Sequence, residues 1–176
     1  MIPKRSLLPF VGAAVVLGAV AVVILAALYY SGDLCGAPAR QKQLFIAIWR
    51  GDTNGVARLL TAGVDPDGPS GQVSRPTPLI DAVRFADVEI IRLLLEQRAD
   101  PNKGDRNGVA ALYHALKSPA VANGGEKVAT PIFEMLIAHG ANPSGKWVTN
   151  VAMSLPADDP RLRGYQKALA AGHKGR

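Results

Sequence analysis

An internal period constrains this chain more than any other feature. Ala47-Ile48-Trp49-Arg50-Gly51-Asp52 aligns with Ala82-Val83-Arg84-Phe85-Ala86-Asp87 at an offset of 35. The same offset carries Leu59-Leu60 to Leu94-Leu95 and Val64-Asp65-Pro66 to Ala99-Asp100-Pro101. An offset of 33 then takes Leu79 to Leu112 and Ala82 to Ala115, and one of 42 takes Leu94-Leu95 to Leu136-Ile137 and Ala99-Asp100-Pro101 to Ala141-Asn142-Pro143. The growth places a nine-residue insertion around residues 118–129. Units of this length recurring along a chain are supersecondary modules that cannot bury an apolar face alone, so neighbours must stack into one continuous core. The Leu-Leu pairs and the Ile or Val four residues before them lie on one face of a helix. Ala47, Ala82 and Ala115 are small where the first helix of each unit meets the next.

The units carry recognisable ends. Thr77-Pro78-Leu79-Ile80-Asp81-Ala82 resembles the T-P-L-H-x-A opening of an ankyrin repeat, and Leu93-Leu94-Leu95-Glu96-Gln97-Arg98-Ala99-Asp100-Pro101-Asn102 resembles its L-L-L-x-x-G-A-D-x-N ending. Ile137-Ala138-His139-Gly140-Ala141-Asn142-Pro143 is a third copy of that ending, and Leu59-Leu60-Thr61-Ala62-Gly63-Val64-Asp65-Pro66 a first. The resemblance implies an all-α solenoid of three to four helix-pair repeats with loop fingers over residues 41–172, a tail at 173–176, and a role in binding another protein without catalysis. Gly63 and Gly140 suit a left-handed helix end; Arg98 replaces glycine there at a cost of about 1 kcal/mol. The first unit lacks the T-P-L-H segment, and the fourth, 146–172, matches only loosely, as end caps facing water do. Thr130-Pro131 reads as a helix start after the insertion, with Thr130 as N-cap.

Ahead of the repeats, residues 10–30 carry no charge, and as a helix they span about 32 Å, a bilayer's hydrocarbon thickness. Lys4 and Arg5 precede the run and the next basic residue is Arg40. The positive-inside rule places residues 1–6 in the cytoplasm, a transmembrane anchor at 7–30, a linker at 31–40 and the repeats in the periplasm of a bacterial inner membrane. A cleavable signal peptide with the Ala37-Pro38-Ala39 site is the rival, though its apolar region is normally shorter; either way the domain is exported. Cys35 follows Leu34, whereas a lipobox wants a small residue there. Ala14 and Gly18 form a small-xxx-small pair that two anchors could share.

Composition removes other classes. With a single cysteine there is no disulfide and no Cys-based zinc site, and His114, His139 and His173 are scattered. The formal charge of +6 is well mixed beyond Lys4 and Arg5, without the basic stripe and interleaved aromatics of a nucleic-acid binder; it favours an acidic partner. Gly140 to Lys146 matches G-x-x-x-x-G-K, but Trp147 stands where magnesium needs a hydroxyl. Asp158-Asp159 precedes Pro160, making Asp159 the N-cap of a last helix. No cofactor, metal or catalytic constellation is expected.

Outward positions of the family pattern, carried onto this chain, give Trp49 and Arg50, Arg84 and Phe85, then Lys117 and Ser118, with Arg75, Arg106 and Asn107 in the loops. Arginine and aromatics are the types enriched at interface hot spots. The insertion is a second candidate contact, as long loops in compact arrays often are. Membrane-anchored bacterial proteins similar to this arrangement are often immunity proteins that inhibit exported toxins or enzymes; a scaffold for a periplasmic enzyme, such as one in oxidative-stress defence, is the alternative, and a hydrolase with an unrecognised site the reading of another class. The oligomeric state is left open.

Overall fold

The computed structural model describes residues 37–69 and 76–172. The expected anchor at 7–30, Cys35, Arg75 and the tail 173–176 lie outside them. The described residues from Gln41 onward belong to one compact unit. Among the described residues there are nine helices and no strand: α1 Ala37–Trp49, α2 Thr53–Thr61, α3 Pro78–Phe85, α4 Val88–Glu96, α5 Ala111–Lys117, α6 Pro119–Asn123, α7 Gly125–Ala138, α8 Lys146–Ser154 and α9 Pro160–Gly172. In chain order they fall into four units of two, α1/α2, α3/α4, α5/α7 and α8/α9, with α6 as an addition, and α9 packs most extensively on α7. None of these helices is long and apolar enough to cross a membrane.

Local chemistry sets each boundary. Asp52 accepts the Gly55 N–H (2.8 Å) to start α2, Asp87 accepts the Ile90 N–H (3.1 Å) to start α4, and the Thr77 hydroxyl accepts the Ile80 N–H (3.2 Å) with Pro78 next to it at the start of α3. The second helices of three successive units end alike. Gly63, Arg98 and Gly140 take φ of 81°, 65° and 89°, and the following N–H bonds back to a carbonyl five residues earlier: Val64 to Leu59, Ala99 to Leu94, Ala141 to Leu136. Val64, Ala99 and Ala141 are buried beneath this turn. The core runs through the stacked faces, with Ala82, Ile90, Leu94, Ala115, Phe133 and Leu136 fully covered.

The insertion is helical, which corrects the expectation of a long loop there. Ser118 caps α6, Gly125 at φ 65° turns the chain, and Val121 and Ala129 are buried in the core. Thr130-Pro131 does not start a helix: Pro131 sits inside the continuous α7. The preceding turn carries the helix formers Glu126, Lys127 and Ala129, and burying Ala129 and Val121 outweighs the one hydrogen bond that a proline forfeits. Ser118, expected to face outward, is also buried, because its hydroxyl donates to the Arg84 carbonyl (3.0 Å) while accepting the Val121 N–H.

The last helix lies close on α7. A Cβ on Gly164 would come within 2.9 Å of the Thr130 nitrogen and 3.0 Å of the Ala129 Cβ. Phe133 and Tyr165 meet edge to face at 5.6 Å, and the Tyr165 hydroxyl donates to the Pro143 carbonyl (3.0 Å). Asp159 caps α9 through the Arg161 N–H (2.9 Å) and holds the Arg161 guanidinium as well, which keeps its carboxyl below the usual range.

Candidate functional site

The outward residues read from the sequence fall into two places. Trp49 and Arg50 close α1, and Arg84 and Phe85 close α3; each helix then stops at a left-handed residue, Gly51 (φ 66°) or Ala86 (φ 58°). The backbone closure is the same in both units, with the Asp52 N–H bonding to Ala47 and the Asp87 N–H to Ala82. That turn directs the last two side chains of each first helix to one edge. Trp49 is 73% exposed and Phe85 47%. With Arg50 they border an open hollow of about 560 Å³ whose remaining lining is Ile48, Gly51, Ala86, Asp87, Val88 and Glu89. Lys117 reaches the same edge one unit later, exposed at the end of α5.

Arg106 and Asn107 are elsewhere. They are exposed at the tip of the one finger among the described residues, at the opposite end of α5 from Lys117. Asp105 builds that finger: its backbone N–H donates to the Val109 carbonyl, and its carboxylate accepts the Asn107 and Val109 N–H groups at 2.8 and 3.2 Å. The same carboxylate lies 3.3 Å from His114 Nε2. Burial holds the His114 imidazole below its ordinary range against the pull of Asp105, so the ring is neutral near pH 7. Arg84 is tied down too, 3.4 Å from Asp81, and burial raises the Asp81 carboxyl despite that guanidinium.

Two features escaped the sequence reading. Tyr113 stands edge-on to His114 at 5.6 Å and to Trp147 at 6.4 Å, and Trp147 is 54% exposed, so an aromatic row continues along the first helices of the third and fourth units. Its signal was present, since Trp147 lies one residue before Val148, the counterpart of Leu112. Second, successive units are stitched by side chains: the Asp67 carboxylate accepts the Asp100 N–H at 3.1 Å from both oxygens, while Asn102 accepts the Asn142 N–H and donates to the Gly140 carbonyl, each at 2.8 Å. Asp65, Asp100 and Asn142 each fold back onto the N–H two residues on. These bonds join successive units along one side of the array. Among the described residues no group of His, Cys, Asp and Glu could hold a metal.

The sequence matches the family described as Ankyrin repeats (3 copies) over residues 44–146. Among solved structures it is similar to the crystal structure of the ankyrin repeat domain of Bcl-3, which is described as a unique member of the IkappaB protein family, with 25% identity and a TM-score of 0.53. That similarity covers 70% of this chain and 50% of the other, so the chain spans about half the length of that domain. No curated protein matches it.

Proposed function

Because this chain belongs to the ankyrin-repeat family, we propose that it is a non-enzymatic protein-interaction module, tethered to a bacterial inner membrane by residues 7–30, with its repeats in the periplasm, where it binds and inhibits an exported enzyme or toxin. The observation that carries the binding role is the edge at which Trp49 and Phe85 are left largely in water around one hollow, beside Arg50 and Arg84. Leaving two aromatic rings exposed forgoes burial worth about 25 cal/mol per Å² of apolar surface, and contiguous apolar exposure of this kind is what partner surfaces have in common. The tether rests on the charge-free run at 10–30 preceded by Lys4 and Arg5.

The test is affinity capture from cells with the full-length chain tagged at its C-terminus, followed by mass spectrometry, in parallel with a reporter fused after Arg176. The reading expects one exported protein to be enriched, the reporter to be active only outside the cytoplasm, and a deletion strain to become sensitive to that protein. Enrichment of cytoplasmic proteins alone, or full resistance in the deletion strain, contradicts it.

A further inference from the structure

Three of the chain's asparagines are followed by glycine: Asn54, Asn107 and Asn123. A glycine nitrogen is the least hindered backbone nucleophile that a side-chain amide can meet, because no Cβ stands beside it. The fold treats the three differently. Asn54 lies in the first turn of α2, where the buried Gly55 has its N–H fixed by the Asp52 carboxylate at 2.8 Å. Asn123 ends α6, and the Gly124 N–H continues the helical ladder to the Ala120 carbonyl (3.0 Å), with φ of −69° and ψ of −10°. Helical backbone holds the following nitrogen away from the asparagine side chain, so both sites must open before they can react.

Asn107 is placed otherwise. With Arg106 and Gly108 it is exposed at the tip of the finger, outside any helix. Gly108 has a φ of 72°, and nothing lies within 4 Å of where a Cβ would stand on it. Its N–H donates to the Asp105 carbonyl at 2.9 Å, a turn bond at the surface that opens without disturbing the core.

We propose that Asn107–Gly108 is a spontaneous modification site, which converts a neutral finger tip into an anionic one. A base in solution takes the Gly108 N–H proton, and the nitrogen attacks the side-chain carbonyl carbon of Asn107. The bond from that carbon to the NH₂ group breaks, the leaving group recovers the proton, and ammonia departs from a cyclic imide. Water adds at either imide carbonyl and opens the ring to aspartate or isoaspartate; nothing is oxidised or reduced. Both products set a carboxylate near Asp105, whose own carboxylate accepts the Asn107 and Val109 N–H groups, and the two charges repel. Isoaspartate also lengthens the main chain inside the turn that the Gly108–Asp105 bond closes. The finger that Asp105 builds is loosened, and its geometry carries this independently of any partner.

The test ages the full-length chain in mildly alkaline buffer, once folded and once in concentrated urea. Each asparagine is then mapped by mass spectrometry after pepsin digestion in acid, with conversion read as replacement of the amide NH₂ by OH. In the folded chain Asn107 is expected to convert at least roughly tenfold faster than Asn54 or Asn123, the ratio that about 1.4 kcal/mol of extra opening at the helical sites produces. In urea the three rates are expected to converge. Hydrogen exchange of the aged folded chain should rise in residues 105–109 and stay level in α3 and α4. Asn54 or Asn123 converting as fast as Asn107 in the folded chain overturns the proposal, as does an Asn107 that converts only in urea. A lead that persists undiminished in urea overturns the fold as its cause, and unchanged exchange across 105–109 in the converted chain overturns the loosening of the finger.

Discussion

The first two helix pairs and the last two solve the same stacking problem differently. In α1 to α4 the repeat length is kept, each first helix stops at a left-handed residue, and each second helix is capped by the aspartate that follows, Asp52 or Asp87. In α5 to α9 the period is broken: α6 is inserted, α7 carries an internal proline, and α9 closes against α7 through Gly164 and the Phe133–Tyr165 contact. The regular half is held by short-range caps that repeat and presents an edge with aromatic rings in water. In the irregular half Phe133 and Tyr165 are buried in packing between helices that are distant in sequence, while Trp147 stays 54% exposed beside Tyr113. The edge proposed to hold a partner lies in the half whose turns are closed by short-range caps.

That contrast can be broken by experiment. The largest effect is expected at Phe133, fully buried between α7 and α9: Phe133→Ala should cost about 4 kcal/mol in chemical denaturation, with amide exchange rising in α8 and α9 ahead of α3 and α4. Uniform loss of protection along the array would show that the two halves are not separately held. Gly164→Val comes next, at about 2 kcal/mol, because its Cβ meets the α7 backbone; a change within about 0.5 kcal/mol would mean that α9 slides freely on its neighbour. In the regular half the sign reverses: Arg98→Gly relieves a left-handed arginine and should stabilise by about 1 kcal/mol. A loss of stability there would assign Arg98 a contact that offsets its backbone strain.

The smallest effect is one of pH. His114 titrates below its ordinary value in the folded chain, since burial disfavours its charged form. As pH falls below about 6.5, unfolded chains bind the proton first, so stability declines on acidification until the folded-state pKa is reached and is flat above 6.5 on this account. His114→Gln should remove that slope, measured as the midpoint of urea unfolding between pH 7 and 5. An unchanged slope would place the titration elsewhere.

Much of this was legible in the residues. The recurring Leu pairs, the small alanines and the glycines at 63 and 140 mark helix faces and helix ends by side-chain size and backbone freedom, which a period preserves. The insertion was not legible, because Gly124-Gly125 reads as a break; Gly125 is instead a pivot between two helices, and the burial of Val121 and Ala129 is decided by distant elements. The stitching of Asp67 to Asp100 and of Asn102 to Asn142 was equally hidden, since each bond runs to a backbone N–H more than thirty residues away and residue type does not announce it. For the candidate site, the outward positions could be named in one dimension. Sequence spacing alone did not say that Arg106 and Asn107 sit at one end of α5 while Lys117 shares the other with Trp49, Arg50 and Phe85.

If a partner is held by this edge, the edge can be altered without disturbing the fold. Binding of the captured partner to the chain carrying Arg84→Glu together with Phe85→Ala, measured beside thermal unfolding of the same protein, tests both halves of that statement. Binding is expected to be lost while the melting temperature stays where it was. Retained binding by a protein with an unchanged melt would contradict it.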